Sequence, residues 1–409
     1  MTTPTTDGAR LLADLAALAA IGPTAEGGVD RPAYSDADLA ARATVREWMR
    51  DAGLAVRVDA AGNTFGRRAG AEAGLPPLII GSHTDTVPQG GRFDGALGAL
   101  AALEVARTLR DRGIALRHPL EVVDFQNEEG GLVGSKIVAG RFERDALALR
   151  ATSGRTIEEG IRLLGGDPAR LDEARRAPGS VAGYLELHIE QGRVLEHAGA
   201  EIGVVEGLVG IRYWEVTFLG TASHAGTTPM ADRRDALVAA SEFVSAVARI
   251  VTAIPGRQVG TVGRLAVHPG GANVIPGRVV LTLELRDLDL AKVTTVFDAL
   301  ETEARRIARA TGTSVALVPT HTNEPSLTSP LVQDAVARAA RALGLRPHLM
   351  PSGAGHDAQN MATIGPAGML FVPSVNGISH SPLERTEDRD VVNGANVLLG
   401  AVLAMDATL

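Results

Sequence analysis

The first part of the chain alternates between short apolar runs and amphipathic segments. The run "LPPLIIGSH" predicts a buried strand that ends at His83, and "HPLEVVDFQNEEGG" predicts a second strand that ends in carboxylates. Between them, "GALGALAALEVARTLRDRG" has apolar residues at helical spacing and a glycine stop. This order predicts an α/β sheet, in which sites form beyond the carboxyl ends of the strands.

An amphipathic helix and two short strands precede this unit. The segment "SDADLAARATVREWMRDAG" predicts a helix capped by Ser35, with Asp38 completing a capping box and Gly53 at the end. The segments "LAVRVDA" and "NTFGRRAG" predict two strands joined by a turn.

The middle of the chain has a different order. Strand-like alternation in "IRYWEVTFLG", "QVGTVGRLAVH", "GRVVLTLELRD" and "TSVALVP" is interrupted by two long amphipathic helices, which gives βαββαβ, the split ferredoxin-like unit. The α/β pattern then resumes with "SPLVQDAVARAARALG", "GMLFVPS" and "VVNGANVLLGAVLAMDA". We therefore expect a catalytic α/β domain formed by residues 1–209 and 323–409, with a smaller domain, residues 210–322, inserted into it.

Composition narrows the function classes. A chain of 409 residues favours two domains, and its net charge of -8 argues against nucleic-acid binding. It has no cysteine, so any metal must be held by histidines and carboxylates. We see neither a secretory signal nor an apolar run that approaches the ~20 residues of a membrane span. We expect a cytoplasmic protein with no membrane partner.

Histidines and acids gather where the predicted strands end or in glycine-rich loops. A lone histidine at a strand end is more often structural than a ligand, but several together favour a metal site. Imidazoles and carboxylates suit Zn, Mn, Co or Ni, and two ions ~3.5–4 Å apart need about five ligands, one of them bridging. The candidates are His83, Asp85, Asp94, Glu128, Glu129, His188, Glu190 and His380.

Sequence position separates some of these roles. Asp94 follows a glycine-rich turn, so its backbone can come close to both ions. Asp85 is placed to accept a hydrogen bond that orients an imidazole. Adjacent Glu128 and Glu129 project differently, so that one can bind metal while the other acts as general base. Glu190 is expected to be structural.

Seven motifs carry a resemblance that covers the chain from about residue 30 to its end. They are "GSHTDTVPQGGRFDG", "NEEG", "HIEQG", "TASHAGTTPM", "GGANVIPG", "SGAGHDA" and "GISHSPLE". Together they resemble the dinuclear metal amidohydrolases of the aminoacylase and carboxypeptidase type. More narrowly, they resemble the hydantoinase/carbamoylase branch, with its N-carbamoyl-L-amino acid hydrolases, β-ureidopropionases and allantoate amidohydrolases.

The resemblance implies a role for each matching residue. It implies Glu128 as the base and Asp85 as the residue that supports the ligands. The implied metal ligands are His83, Asp94 (bridging), Glu129, His188 and His380, and the implied substrate-binding residues are Gln191, His224, Asn273 and Arg286. It also implies a homodimer formed through the inserted domain, with His224 reaching the partner's site.

For three of these residues the sequence alone leaves another interpretation open. His224 lies in a Gly/Thr loop, where it can stabilise an oxyanion or simply fix the loop. Arg286 can form a bidentate pair with a substrate carboxylate or a salt bridge with Asp287 or Asp289. Asn273 can be a turn residue.

We expect metal-dependent hydrolysis of the ureido C–N bond of a small carboxylate. N-carbamoyl-L-amino acids come first, giving amino acid, carbon dioxide and ammonia, and allantoate and β-ureido acids are the nearest alternatives. An aminoacylase or peptidase and a non-catalytic metal-binding homologue are more remote. "HIEQG" argues against the peptidase, and Glu128 argues against the non-catalytic homologue.

Overall fold

The computed structural model describes residues 4–409. The helices are α1 Gly8–Ala19, α2 Asp36–Asp51, α3 Ala96–Asp111, α4 Val133–Val138, α5 Ile157–Leu164, α6 Val194–Ala198, α7 Ala236–Ala253, α8 Leu290–Ala310, α9 Pro330–Ala342, α10 Ala358–Met361 and α11 Asp388–Thr408. The strands are β1 Ala55–Val58, β2 Thr64–Arg68, β3 Leu78–His83, β4 Leu120–Phe125, β5 Gly183–Ile189, β6 Ile202–Leu208, β7 Gly210–Leu219, β8 Ser223–His224, β9 Val259–His268, β10 Val274–Ile275, β11 Arg278–Asp287, β12 Ser314–Asn323, β13 Ser326–Leu327, β14 Pro347–Ser352 and β15 Ala367–Val372.

These elements form two compact units. The first runs up to Gly207 and resumes from Leu327 to Leu409, and the second is Leu208–Ser326. The sequence pattern ends the last strand of the second unit too early, because the polar residues 320–323 carry no apolar signal. They nevertheless extend β12 by backbone pairing with β7, as far as the pair Asn323 and Ile211.

The first unit is built on a nine-stranded sheet in the order β1-β2-β4-β3-β5-β15-β6-β13, with β14 also paired to β6. Its centre, β4-β3-β5-β15, is parallel, while β1, β2 and β6 pair antiparallel. The four central strands are buried along their whole length, as expected of parallel strands covered on both faces. Their carboxyl ends consequently meet at one edge of the sheet.

The main core of this unit joins the sheet to α1, α3, α9 and α11. It includes Leu11, Leu100, Val336 and Leu398, all essentially inaccessible. Helix α3, the next element after β3, is buried over nearly its whole length. The residues between β3 and α3 are therefore held between rigid elements.

The second unit has a four-stranded antiparallel sheet in the order β12-β7-β11-β9, with α7 and α8 packed on it. This is the strand order of the split βαββαβ unit. Along β11, Val279, Leu281, Leu283 and Leu285 are buried and alternate with more exposed residues, which is the period of a sheet with one covered face. The predicted α/β fold class is confirmed.

Two helices, α7 and α11, are long and apolar enough to cross a membrane by length and composition, which corrects the expectation that no run approaches that length. Each packs as a core helix of its own unit, α7 through residues such as Phe243 and α11 through residues such as Leu398. Core helices of soluble proteins pass the same test, so two such helices are weak evidence for a membrane protein.

The predicted capping box of α2 is wrong by one residue. Ser35 does cap the helix, since its hydroxyl accepts the N–H of Asp38 at 3.1 Å. The Asp38 carboxylate, however, accepts the N–H of Tyr34 at 2.7 Å rather than that of Ser35. Its other oxygen accepts a hydrogen bond from Arg42, so the carboxylate faces the interior.

Candidate metal centre

The parallel strands bring the predicted residues of the first unit to one edge of the sheet. His83 is the last residue of β3, and His188 is next to last in β5. Glu128 and Glu129 follow β4 after Asn127, which has a left-handed φ of 49°. His380 lies in the loop between β15 and α11. Residues far apart in sequence are thus gathered by the topology.

Two groups of potential ligands share one carboxylate. The ligand atoms of His83, Asp94 and His188 lie within 4.8 Å of one another, as do those of Asp94, Glu129 and His380. The five residues implied as metal ligands are therefore together, with Asp94 common to both groups. A carboxylate shared in this way suits a bridging ligand between two ions.

Backbone carbonyls orient the two buried imidazoles. The Nδ1 of His83 lies 2.9 Å from the carbonyl oxygen of Asp85, and the Nδ1 of His188 lies 2.9 Å from that of Ile189. Each Nδ1–H can donate to its carbonyl, which turns Nε2 towards Asp94. Hydrogen bonding of one ring nitrogen to a carbonyl is the usual way in which a metal-binding histidine is oriented.

Asp94 is held from several directions. Its Oδ2 accepts hydrogen bonds from the amide of Gln191 at 2.8 Å and from the hydroxyl of Ser379 at 3.1 Å. The buried carboxylate of Glu384 accepts the backbone N–H groups of Phe93 and Asp94. The Ser379 hydroxyl lies 2.9 Å from the same carboxylate and so has two acceptors within reach, which links the Asp94 loop to the loop that carries His380.

Glycine is needed directly after Asp94. Gly95 has a φ of 63°, and a Cβ there would lie 2.3 Å from the ring of His83. The sequence "FDG" thus lets the chain turn into α3 against an imidazole.

Asp85 acts differently from the prediction. Its carboxylate lies 3.7 Å from the Nδ1 of His83, and it is its backbone carbonyl that takes the imidazole. The carboxylate accepts the N–H groups of Glu128 and Glu129, each at 3.2 Å. Asp85, which follows β3, therefore fixes the backbone of both glutamates, which follow β4.

Glu128 and Glu129 have different neighbours. Glu129 Oε1 faces the Nε2 of His380 at 3.6 Å. The carboxylate of Glu128 lies 3.7 Å from the Nε2 of His83 and 3.8 Å from the Nδ1 of His356. The two adjacent side chains thus occupy separate places in one cluster.

The electrostatics of the cluster fit divalent cations. Burial raises the pKa of Glu128 well above its ordinary value, and burial together with the charge of Asp94 raises that of Glu129 to about 8. Burial opposes protonation of His188, but Asp94 outweighs it and raises the pKa of His188 to about 9. Among residues 4–409, the buried Glu129 Oε1 has no hydrogen-bond partner. A bound divalent cation would stabilise carboxylate oxygens and imidazole nitrogens that lie this close together.

His356 belongs to the cluster, although no role was predicted for it. Its ring is buried, with its centroid 4.4 Å from that of His188, and within the described residues neither of its nitrogens has a hydrogen-bond partner. Next to it, Asp357 is fully buried. The signal for it in the sequence is the glycine-rich stretch "SGAGHDA".

The second unit brings two predicted substrate-binding residues together. His224 in β8 pairs with Val274 in β10, and the N–H of Ala225 donates to the carbonyl of Asn273 at 2.9 Å. The Nδ1 of His224 accepts the N–H groups of Gly226 and Thr227. The neutral imidazole consequently carries its proton on Nε2 and can donate from there.

Arg286 is next to last in β11 and pairs with Glu284, whose carboxylate lies 2.6 Å from its Nε. The alternative partners considered from sequence, Asp287 and Asp289, are used elsewhere. Asp287 accepts the N–H of Asp289, and Asp289 caps α8. The pair with Glu284 follows from strand geometry, because residues two apart lie on the same face of the sheet.

The family match and the curated relatives identify the chain as a hydrolase of amide C–N bonds. The pattern of peptidase family M20/M25/M40 matches residues 79–404, and the chain belongs to this family.

Curated relatives and solved structures extend the match over nearly the whole chain. An N-carbamoyl-L-amino acid amidohydrolase of Geobacillus stearothermophilus is 42% identical over 97% of this chain and 98% of its own. A ureidoglycolate hydrolase of Arabidopsis thaliana is 37% identical over 90% of this chain and 80% of its own. A crystal structure of a hydantoinase/carbamoylase family amidase from Burkholderia multivorans has a TM-score of 0.91 and 41% identity, covering 98% of each chain. The resemblance identified from the motifs is confirmed.

Proposed function

We propose that this protein hydrolyses the ureido C–N bond of N-carbamoyl-L-amino acids, giving amino acid, carbon dioxide and ammonia, in the cytoplasm. The observation that carries the proposal is the pair of ligand groups sharing Asp94 with Glu128 beside them. Similarity to an N-carbamoyl-L-amino acid amidohydrolase over nearly both full chains supports the choice of substrate.

Two divalent ions, of Zn, Mn, Co or Ni, would be held by His83, Asp94, Glu129, His188 and His380. When bound, they supply Lewis acidity that polarises the ureido carbonyl. Asp85 fixes the positions of Glu128 and Glu129 through their backbone N–H groups. The backbone carbonyls of Asp85 and Ile189 keep the Nε2 atoms of the two histidines directed at Asp94.

Glu128 is the general base. Its buried carboxylate has a raised pKa, so it can take a proton from the attacking water and return it to the leaving nitrogen. Because burial raises its pKa, this carboxyl gains a proton more readily than that of an exposed glutamate.

Four residues would bind the substrate. Gln191, which already donates to Asp94, and Asn273 offer amide groups to the ureido moiety. His224 donates from Nε2 to the developing oxyanion, and Arg286 binds the substrate carboxylate with its planar fork. We further propose a homodimer formed through Leu208–Ser326, in which His224 serves the site of the other subunit.

Other ureido carboxylates are the alternative substrates. Similarity to a ureidoglycolate hydrolase favours one of them specifically, since ureidoglycolate also presents a ureido group and a carboxylate. Allantoate and β-ureido acids offer the same two groups.

A substrate panel with ammonia release as the readout tests the proposal. Metal-loaded protein is given N-carbamoyl-L-amino acids, their D-isomers, ureidoglycolate, allantoate, a β-ureido acid and a dipeptide, with Glu128→Gln as the matched control. We expect the highest kcat/KM on an N-carbamoyl-L-amino acid. Preference for the dipeptide would contradict hydrolysis of a ureido group. Preference for ureidoglycolate or allantoate would identify that compound as the substrate instead.

A further inference from the structure

Arg42 on α2 is a fully buried guanidinium placed at the carboxyl ends of β3 and β4. Its Nε donates to Asp38 at 2.8 Å, and its Nη2 donates to the carbonyl of Phe125, the last residue of β4, at 2.7 Å. Its Nη1 lies 3.1 Å from the carboxylate of Asp124 and 3.3 Å from the carbonyl of the same residue. The end of β4 is thus bound at several points by one side chain.

The same guanidinium reaches the residue that holds the two glutamates. Nη2 lies 3.5 Å from Oδ1 of Asp85, the carboxylate that accepts the N–H groups of Glu128 and Glu129. Asp85 also orients His83 through its backbone carbonyl. One side chain of α2 therefore connects the end of β4, the loop after β3 and the backbone of the glutamate pair.

Stability alone explains this arrangement poorly. A buried ion pair gains little over well-packed apolar residues, because both charges must leave water. Arg42 and the three carboxylates around it, Asp38, Asp85 and Asp124, are all inaccessible. What the guanidinium offers is a rigid fork that binds several acceptors at fixed angles, which the ammonium of lysine does not provide.

We propose that Arg42 is a positioning residue for Glu128 and Glu129. By fixing the end of β4 and Asp85 to each other, it sets the direction in which the two glutamates leave the strand. The catalytic consequence rests on the proposed function, whereas the effect on the backbone is a property of the protein alone.

The test is Arg42→Lys, which keeps the positive charge and loses the fork. In metal-free protein, hydrogen exchange of the Glu128 and Glu129 amides, followed in a peptide covering residues 126–132, should be about tenfold faster or more, because their bonds to Asp85 are less well held. In metal-loaded protein, kcat on an N-carbamoyl-L-amino acid should fall about tenfold or more, with KM within about twofold, since the base is misplaced while substrate binding remains.

Arg107→Lys is the matched control. Arg107 is also a buried arginine of the same unit, but it pairs with Asp14 and Glu104 on α1 and α3. Its replacement should leave the exchange of the Glu128 and Glu129 amides and kcat close to those of the wild type, even where the melting temperature falls as much as in Arg42→Lys.

Unchanged exchange at Glu128 and Glu129 in Arg42→Lys would overturn the inference. If that variant does not fold, Asp38→Asn is used, because it leaves Arg42 in place but removes the charge that holds its Nε. The same acceleration of exchange supports the inference, and wild-type exchange overturns it. If the wild type proves inactive on every ureido substrate while exchange in Arg42→Lys is accelerated, the proposed function fails and the positioning role stands.

Discussion

Glu128 and Glu129 are neighbours in sequence, yet their surroundings separate them. Asp85 accepts both backbone N–H groups, which fixes the two residues as one turn. From this turn the Glu129 side chain joins Asp94 and His380, while that of Glu128 lies beside His83. A single residue step therefore separates the proposed metal ligand, Glu129, from the proposed base, Glu128.

Replacing Glu128 by glutamine should keep the metals and lower turnover. The amide keeps the shape of the side chain but cannot accept the proton, so we expect a loss of roughly a hundred-fold or more in kcat. Glu129→Gln is the matched comparison and should lose metal. Elemental analysis and initial rates measure both. Metal loss in step with rate loss in Glu128→Gln would mean that the two roles are exchanged.

Arg286→Lys should lower kcat/KM for substrates that carry a carboxylate, since the planar fork of the guanidinium is lost. A ureido compound without a carboxylate should be poor for both proteins and nearly unaffected by the substitution. The measurement is kcat/KM on this pair of compounds. Equal losses on both would show that Arg286, with its partner Glu284, has only a structural role.

Two of the candidate ligands could be placed from sequence because they lie at the ends of strands with a strong apolar signal. His83 and His188 lie on such strands, β3 and β5. His356 follows β14, which is only partly buried and contains prolines, so its strand has no clear pattern. Arg42 was missed because a charged residue of an amphipathic helix is usually exposed, and only the tertiary fold shows where it lies.

At the scale of elements, an N-cap residue lies between helix α7 and the loop that follows His224. Asp235 caps α7 by accepting the N–H groups of Leu237 and Val238. The loop before it, residues 225–234, begins directly after His224. The backbone at Thr221 also donates to the carbonyl of Arg234, so the start of α7 and the β8 strand are joined.

Asp235→Ala should therefore destabilise the second unit by about 1 kcal/mol, the usual cost of a lost N-cap. The measurement is the midpoint of urea unfolding, followed by a signal from this unit such as the fluorescence of Trp214. Asp232→Ala, an exposed residue of the same loop, is the control and should change little. Equal effects of the two substitutions would contradict a capping role.

At the scale of the whole molecule, the proposed roles fall in two compact units. The unit containing β3 and β5 carries the candidate metal ligands and the base, and Leu208–Ser326 carries His224, Asn273 and Arg286. Both were expected from the alternation of sequence patterns. The proposed dimer adds that one active site uses residues of two chains, which a single chain cannot reveal.

Mixed dimers test that arrangement. In a dimer of Glu128→Ala with His224→Ala, one site would carry both lesions and the other neither. Random mixing should restore about a quarter of wild-type activity, since half of the dimers have one intact site of two. Native mass spectrometry confirms that mixed dimers form. If they form and no activity returns, His224 serves its own chain.

The most direct test of the central claim is removal and return of the metal, with ammonia release from an N-carbamoyl-L-amino acid as the readout. A donor set of imidazoles and carboxylates binds divalent ions that chelators remove. We predict that the chelated protein is inactive and that Zn(II), Mn(II), Co(II) or Ni(II) restores turnover. Full activity in protein shown by elemental analysis to be metal-free would contradict the account.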